Sequence, residues 1–212
     1  MSERPTLTLR TKGEDQTMAL GVRLAALLRA GDVVALEGDL GAGKTRLVRG
    51  IARGLGLDES AVSSPTFVIA NVYAAEGRTP LAHVDAYRLS GPDDLPAVGW
   101  DRLDDGRHIL AVEWAGRIEA GLPARGEARR WDIAMAHEGE EERRVTVEGP
   151  PGRTIDALGA ARKVCRTCGA ALPVGASGAF CGERCRLADL GKWLSGAYRI
   201  SRPMNERDLE EG

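Results

Sequence analysis

The chain has 212 residues, 43% of them hydrophobic and 28% charged, with a formal net charge of −2. That length accommodates one domain of ordinary size and a small one, and the near-neutral balance gives no global drive toward nucleic acid or anionic lipid. No apolar run approaches the roughly 20 residues that span a bilayer, and Met1-Ser2-Glu3-Arg4-Pro5 carries no apolar signal segment, so a cytoplasmic protein with no membrane partner is expected.

In chain order, Thr6-Leu7-Thr8-Leu9 alternates like a half-buried strand. Leu20, Leu24, Leu27 and Leu28 recur at helical spacing, predicting a helix from Asp15 or Thr17 that Gly31-Asp32 ends. Val33 to Glu37 reads as a short buried strand, and Arg46 to Leu55 as a helix with Leu47, Val48, Ile51 and Leu55 on one face. Thr66 to Tyr73 and Pro80 to Asp85 read as strands around the turn Glu76-Gly77-Arg78, and Pro92 to Val98 as a short helix. His108 to Val112 is nearly continuous in apolar residues, as a central strand is. Trp131 to Ala136 and Arg143 to Val147 flank Gly139 as a hairpin. Gly149-Pro150-Pro151-Gly152 marks a boundary, and Ile155-Asp156-Ala157-Leu158 after it either docks or links. The expected organisation is a nucleotide-binding domain over 1–150, a linker over 151–162, a cysteine module over 163–202 and a disordered acidic tail over 203–212.

Between the strand ending at Glu37 and the helix from Arg46 lies Gly38-Asp39-Leu40-Gly41-Ala42-Gly43-Lys44-Thr45, which fits G-x-x-x-x-G-K-[ST] without a mismatch. A strand, a glycine turn and a helix start together make an anion site, because converging N–H groups and the positive helix end meet phosphate oxygens. Lys44 then reaches the β- and γ-phosphates of a nucleotide, and the Thr45 hydroxyl binds Mg²⁺. A Mg-nucleotide site also needs an acid at the end of a neighbouring strand. Asp85 and Glu113 both qualify, since ligands collect outside the carboxyl ends of such strands. Ser63-Ser64-Pro65-Thr66 reads equally as a turn presenting hydroxyls to phosphate and as a simple entry to a strand. His83 reads as a core histidine rather than a catalyst, and spacing alone does not put Tyr87 and Arg88 at the site.

All four cysteines fall in one short stretch: Cys165-x-x-Cys168, then Cys181-x-x-x-Cys185. Two knuckles of this spacing place four thiolates on one tetrahedral Zn²⁺. A segment with so few large apolar groups builds no sufficient core, so the metal supplies folding energy. Lys163, Arg166, Arg184, Arg186, Lys192, Arg199 and Arg202 against Glu183 and Asp189 give the module a basic excess, suited to an acidic protein surface or a nucleic-acid backbone. Trp193 reads as core for the knuckles. The fold class is α/β, a P-loop NTPase-type sheet flanked by helices, with a small C-terminal zinc-ribbon or knuckle module.

The phosphate loop, Ser64-Pro65-Thr66-Phe67, His83-Val84-Asp85-Ala86-Tyr87-Arg88-Leu89 and Glu113-Trp114 occur in the order of the TsaE (YjeE) family. The chain resembles that family, P-loop ATPases of tRNA N6-threonylcarbamoyladenosine (t6A37) biosynthesis, from about Thr6 to Val147. The resemblance implies Mg-dependent ATP hydrolysis in support of a TsaB–TsaD complex, with tRNA met indirectly through that complex. It implies that Thr45 and Glu113 hold Mg²⁺ and that Asp85 is a Walker-B-like or catalytic acid. It also implies that Ser64-Pro65-Thr66 is a switch beside the γ-phosphate, so Thr66 joins Asp85, Glu113 and Lys44 among the catalytic candidates. Glu14 matches a position that touches nucleotide in the family. Arg46 is a departure, standing where the family often has Thr or Ser. Residues from Val164 to Ile200, including Asp189-Leu190-Gly191-Lys192-Trp193, Tyr198 and Ile200, resemble the YacG family of small zinc proteins, which implies binding to the gyrase B subunit. Arg166-Thr167 replaces the usual proline-containing first knuckle. Two other readings compete: a small-molecule kinase using the same loop, against which there is no Arg-rich lid segment, and a zinc-dependent regulator binding gyrase or nucleic acid.

Overall fold

The computed structural model describes residues 3–65, 69–139, 141–159, 165, 167–168, 179–180 and 182–194. Seven strands among them form one sheet: β1 (Thr6–Lys12), β2 (Val33–Gly38), β3 (Ala70–Tyr73), β4 (Leu81–Asp85), β5 (Ile109–Glu113), β6 (Arg130–His137) and β7 (Glu142–Glu148). Their order is β1-β7-β6-β2-β5-β4-β3. β4, β5, β2 and β6 run parallel, while β1, β7 and β3 pair antiparallel at the two sides. The parallel strands β2, β4 and β5 are the near-continuous apolar runs, as strands covered on both faces must be.

The alternation of side chains sorts each parallel strand between two cores. Val34, Leu36, Ile109 and Ala111 face a cluster with Leu20, Leu24, Leu47, Val48 and Ile51, whereas Val33, Ala35, Leu110 and Val112 face Trp100, Leu103 and Ile118. The first cluster comes from α1 (Gly13–Ala25) and α2 (Lys44–Gly54), the second from α3 (Trp100–Leu103) and from 3₁₀ turns over Pro92–Val98 and Ala115–Gly121. α1 and α2 cross closely at glycines: a Cβ on Gly50 would stand 2.1 Å from the Met18 carbonyl oxygen, and one on Gly21 would stand 2.3 Å from that of Leu47.

Several boundaries differ from the sequence expectations. α1 starts at Gly13, ahead of Asp15, because the Gln16 side chain reaches back to accept the Lys12 N–H at 2.9 Å. It ends at Ala25, so Leu27 and Leu28 pack from the turn beyond it. β3 starts at Ala70, after Ile69 adopts a left-handed φ of 72°; the earlier part of that expected strand, Thr66, Phe67 and Val68, lies outside the described residues.

The chain divides into two compact units, Met1–Ala161 and Arg162–Gly212. The expected linker over 151–162 gives Ile155 and Leu158, beside the short helix α4 (Asp156–Gly159), to the core of the first unit. Arg153 anchors this stretch, donating to Asp32 at 3.0 Å and to the Leu27 carbonyl at 2.9 Å. The second unit contains α5 (Glu183–Leu194). Its tail, 203–212, lies outside the described residues, as do Tyr198, Ile200 and the Trp193 side chain. No helix among the described residues is long and apolar enough to cross a membrane.

Candidate functional site

Strand β2 delivers the chain into the glycine loop, and the loop turns into α2. Two left-handed glycines make that turn, Gly41 (φ 79°) and Gly43 (φ 99°), a conformation that side chains with a Cβ resist. Gly43 caps α2, so the first N–H groups of the helix, at Lys44 and beyond, open toward the loop.

The register of the parallel strands brings the acids to this end of the sheet. Leu36 of β2 lies beside Glu113 of β5, and Glu113 lies beside Asp85 of β4. Both carboxylates are almost fully buried. Glu113 Oε1 accepts the Thr45 hydroxyl at 2.7 Å and His83 Nε2–H at 2.8 Å. Asp85 accepts the Ser64 hydroxyl at 2.9 Å and the Tyr87 N–H at 3.0 Å. A hydroxyl and a carboxylate converging at a phosphate loop form the hard-oxygen donor set that Mg²⁺ takes, so the residues present fit that ion.

Lys44 donates to the loop's own carbonyls, Gly38 at 2.5 Å and Asp39 at 2.9 Å. Its ammonium also lies 3.8 Å from the centre of the Trp114 ring. Burial lowers its pKa below the usual lysine value, against the opposing pull of Glu113, Asp85, Glu37 and Asp39. A phosphate chain offers stronger acceptors than two neutral carbonyls.

One cleft of about 530 Å³ joins Glu14, Leu40, Gly41, Gly43, Lys44, Thr45, Asp85 and Glu113. Gly38, Asp39 and Ala42 build the loop without lining the cleft; Ala42 is buried beneath it. Thr66 lies outside the described residues. The cleft also takes in Arg46, Arg49, Ser64, Tyr87 and Trp114. Of these, Arg49 carries no signal in the sequence pattern, and Trp114 enters it only through the Glu113-Trp114 motif. Trp114 reaches Lys44 from a left-handed residue (φ 59°) directly after Glu113, and Arg49 ties α2 to the Val62 carbonyl at 2.7 Å. His83 is buried as a core histidine would be, yet it touches Glu113, and its Nδ1 has no hydrogen-bond partner among the described residues.

In the second unit, the ligand atoms of Cys165, Cys168 and Cys185 all lie within 4.8 Å of one another. Thiolates about 2.3 Å from one tetrahedral Zn²⁺ stand roughly 3.8 Å apart, so the three fit a zinc centre. Thr167, between Cys165 and Cys168, ties that knuckle to the second pair by donating to the Cys185 carbonyl at 2.7 Å. Cys181, the expected fourth ligand, lies outside the described residues.

Residues 11–145 match the family model described as threonylcarbamoyl adenosine biosynthesis protein TsaE, and residues 164–211 the one described as DNA gyrase inhibitor YacG. A relative from Streptomyces coelicolor named tRNA threonylcarbamoyladenosine biosynthesis protein TsaE is 50% identical over 134 residues, 61% of this chain and 88% of that protein. A Bacillus subtilis relative of the same name is 41% identical over 140 residues, 66% of this chain and 84% of that protein. The crystal structure of YdiB from Bacillus subtilis superposes with a TM-score of 0.53 at 34% identity, covering 70% of this chain and 88% of that one.

Proposed function

The chain belongs to the TsaE family, and from that premise we propose that its first unit is a Mg-dependent ATP hydrolase serving t6A37 formation in tRNA beside TsaB–TsaD-like proteins. The observation that carries the hydrolase reading is the Thr45 hydroxyl held 2.7 Å from Glu113 at the mouth of the phosphate loop. In this reading the loop N–H groups and the α2 N-terminus bind the β- and γ-phosphates, and Lys44 leaves the Gly38 and Asp39 carbonyls to bridge them. Thr45 and Glu113 are the residues that would hold Mg²⁺, which would supply charge neutralisation at the phosphates. Asp85, fixed by Ser64 and the Tyr87 N–H, orients the water that attacks the γ-phosphorus. The bond to the β,γ-bridging oxygen breaks, releasing ADP and phosphate. Thr66 joins Ser64 as a switch beside the γ-phosphate, and Glu14 contributes at the nucleotide rim.

The test is ATP hydrolysis, alone and with TsaB–TsaD, together with t6A content of tRNA. Thr45→Ala and Glu113→Ala each reduce turnover at least a hundredfold, as expected when a principal electrostatic contact to the reacting phosphate is lost. Unchanged turnover in both variants refutes the site. A phosphorylated small-molecule acceptor supports the kinase reading instead.

For the second unit, the match over 164–211 and the three-cysteine cluster support a zinc module that binds the gyrase B subunit. A supercoiling assay with the zinc-loaded full chain checks this, and uninhibited gyrase at micromolar protein counts against it. A cytoplasmic setting accords with both roles.

A further inference from the structure

His83 stands in the middle of β4, between Ala82 and Val84, and is fully buried with them. Strand alternation puts it on the same face as Leu81 and Asp85, and the parallel register places it beside Ala111, two residues short of Glu113 on β5. Its Nε2 reaches diagonally to Glu113 Oε1 at 2.8 Å, the same oxygen that accepts the Thr45 hydroxyl at 2.7 Å. An ionised carboxylate only accepts, so Nε2 carries the proton of that bond. Nδ1 is then the orphaned nitrogen, with no hydrogen-bond partner among the described residues. Tyr73 of β3 flanks the ring at a centroid distance of 6.5 Å. A leucine would fill this position without burying an unpartnered polar atom, so packing does not account for a histidine. What the imidazole adds is one donor aimed at Glu113. Asp85 lies alongside Glu113 in register, and two buried carboxylates side by side repel each other, so a donor on Glu113 has a charge to hold in place.

We propose that His83 is a positioning residue of the nucleotide site, fixing the Glu113 carboxylate in the orientation that meets Thr45. The inference rests on the Mg-nucleotide reading of the cleft. Thr45 alone would hold Oε1 only from the side of α2, and the carboxylate could turn about that one bond. The His83 N–H holds the same oxygen from the sheet, so the two donors together fix it. The Thr45 hydroxyl, its proton committed to Glu113, then turns its lone pairs toward a cation. His83 does not line the cleft, so it acts through Glu113 and touches neither nucleotide nor metal. Partners that hold a metal ligand in this way matter about ten- to a hundredfold in metal affinity.

The experiment titrates Mn²⁺, which suits the same oxygen ligands as Mg²⁺, into the ADP-saturated full chain and follows the free ion by electron paramagnetic resonance. His83→Leu keeps the bulk without the donor and raises the Mn²⁺ dissociation constant about tenfold. His83→Gln, whose amide nitrogen stands where Nε2 stood, remains within about threefold of the original chain. ADP affinity without added divalent metal is the same in all three proteins, which separates a loss of metal from a loss of the phosphate loop. ATP turnover lost in His83→Leu returns as Mg²⁺ is raised, a response that a packing defect does not give. The proposal is overturned if His83→Leu holds Mn²⁺ as tightly as the original chain, or if His83→Leu and His83→Gln lose it equally, as a purely packing role requires. Should His83→Leu fail to fold, His83→Asn, whose amide stops at the Nδ1 position short of Glu113, replaces it in the comparison with the same two outcomes. If the unsubstituted, ADP-loaded chain holds no Mn²⁺, the Mg-nucleotide reading itself fails.

Discussion

Arg130 exposes only 1% of its side chain, and a buried guanidinium is tolerated only with partners around it. It has three: Asp132 at 2.9 Å, the Pro123 carbonyl at 2.6 Å and Glu119 at 2.8 Å. The hydrogen bond from Arg130 holds the Glu119 carboxyl below its usual pKa, with Arg125 adding to the effect. Because the folded pKa is the depressed one, this stability is complete above pH 4.5 and is lost as pH falls through the folded value. Glu119→Gln therefore destabilises the first unit by about 1 kcal/mol at pH 7, the discount reflecting a carboxylate that is partly exposed. The penalty shrinks below pH 4.5, so urea midpoints for the two proteins converge in acid; a difference that stays constant from pH 7 to pH 3 refutes this account. The same residue scale decides what the sequence can disclose about the cleft. Lys44 and Thr45 are legible because loop spacing alone fixes them, and Asp85 and Glu113 because each ends an apolar run. Trp114 and Glu14 are legible only through the family motifs, and Arg49 not at all, since its place in the cleft depends on how α2 packs beside Val62.

Helices α1 and α2 both line the candidate cleft, and the two meet backbone to backbone. A methyl group at Gly50 would overlap the Met18 carbonyl oxygen and approach the Gly21 Cα at 2.9 Å, and neither is a flexible side-chain end that can swing away. Gly50→Ala gains helix propensity yet forces α1 off α2, and overpacking of this kind costs about 2 kcal/mol. Since α2 begins at Lys44, the displacement also reaches the phosphate loop, and nucleotide affinity falls with stability. Thermal melts and ADP titrations of Gly50→Ala check both, and a variant as stable as the original would show that the helices separate freely. Elements with strong periodicity are the readable part of the fold: β2, β4, β5 and the β6–β7 hairpin follow from apolar runs and alternation, and α2 from its apolar face. Short 3₁₀ turns such as Ala115–Gly121 and the four-residue α3 are not readable, because local pattern gives them too few positions and tertiary packing forms them. α4 docks for the same kind of reason: Arg153 is held by Asp32, more than a hundred residues away in sequence, and lies over Trp131.

At the scale of the whole molecule, the two compact units draw on different sources of stability. The first contains two apolar clusters on either side of a seven-stranded sheet. In the second, three cysteine ligand atoms converge within 4.8 Å and α5 exposes Leu187 and Leu190. Metal binding in such modules supplies folding free energy of about 10 kcal/mol or more, whereas a nucleotide in the proposed site would stabilise the first unit by mass action. The two contributions are therefore separable in the intact chain. With zinc and ADP present, the melting profile contains a component that rises with ADP concentration and another that depends on zinc. A zinc-selective chelator, or Cys185→Ser, removes the zinc-dependent component and leaves the ADP-dependent shift in place. Lys44→Ala has the opposite outcome, abolishing the ADP shift while one zinc per chain remains bound by metal analysis. If chelation instead cancels the ADP shift, the zinc module is a working part of the nucleotide site and the units do not fold independently. If Cys185→Ser retains one tightly bound zinc, the cysteine cluster is not the metal centre.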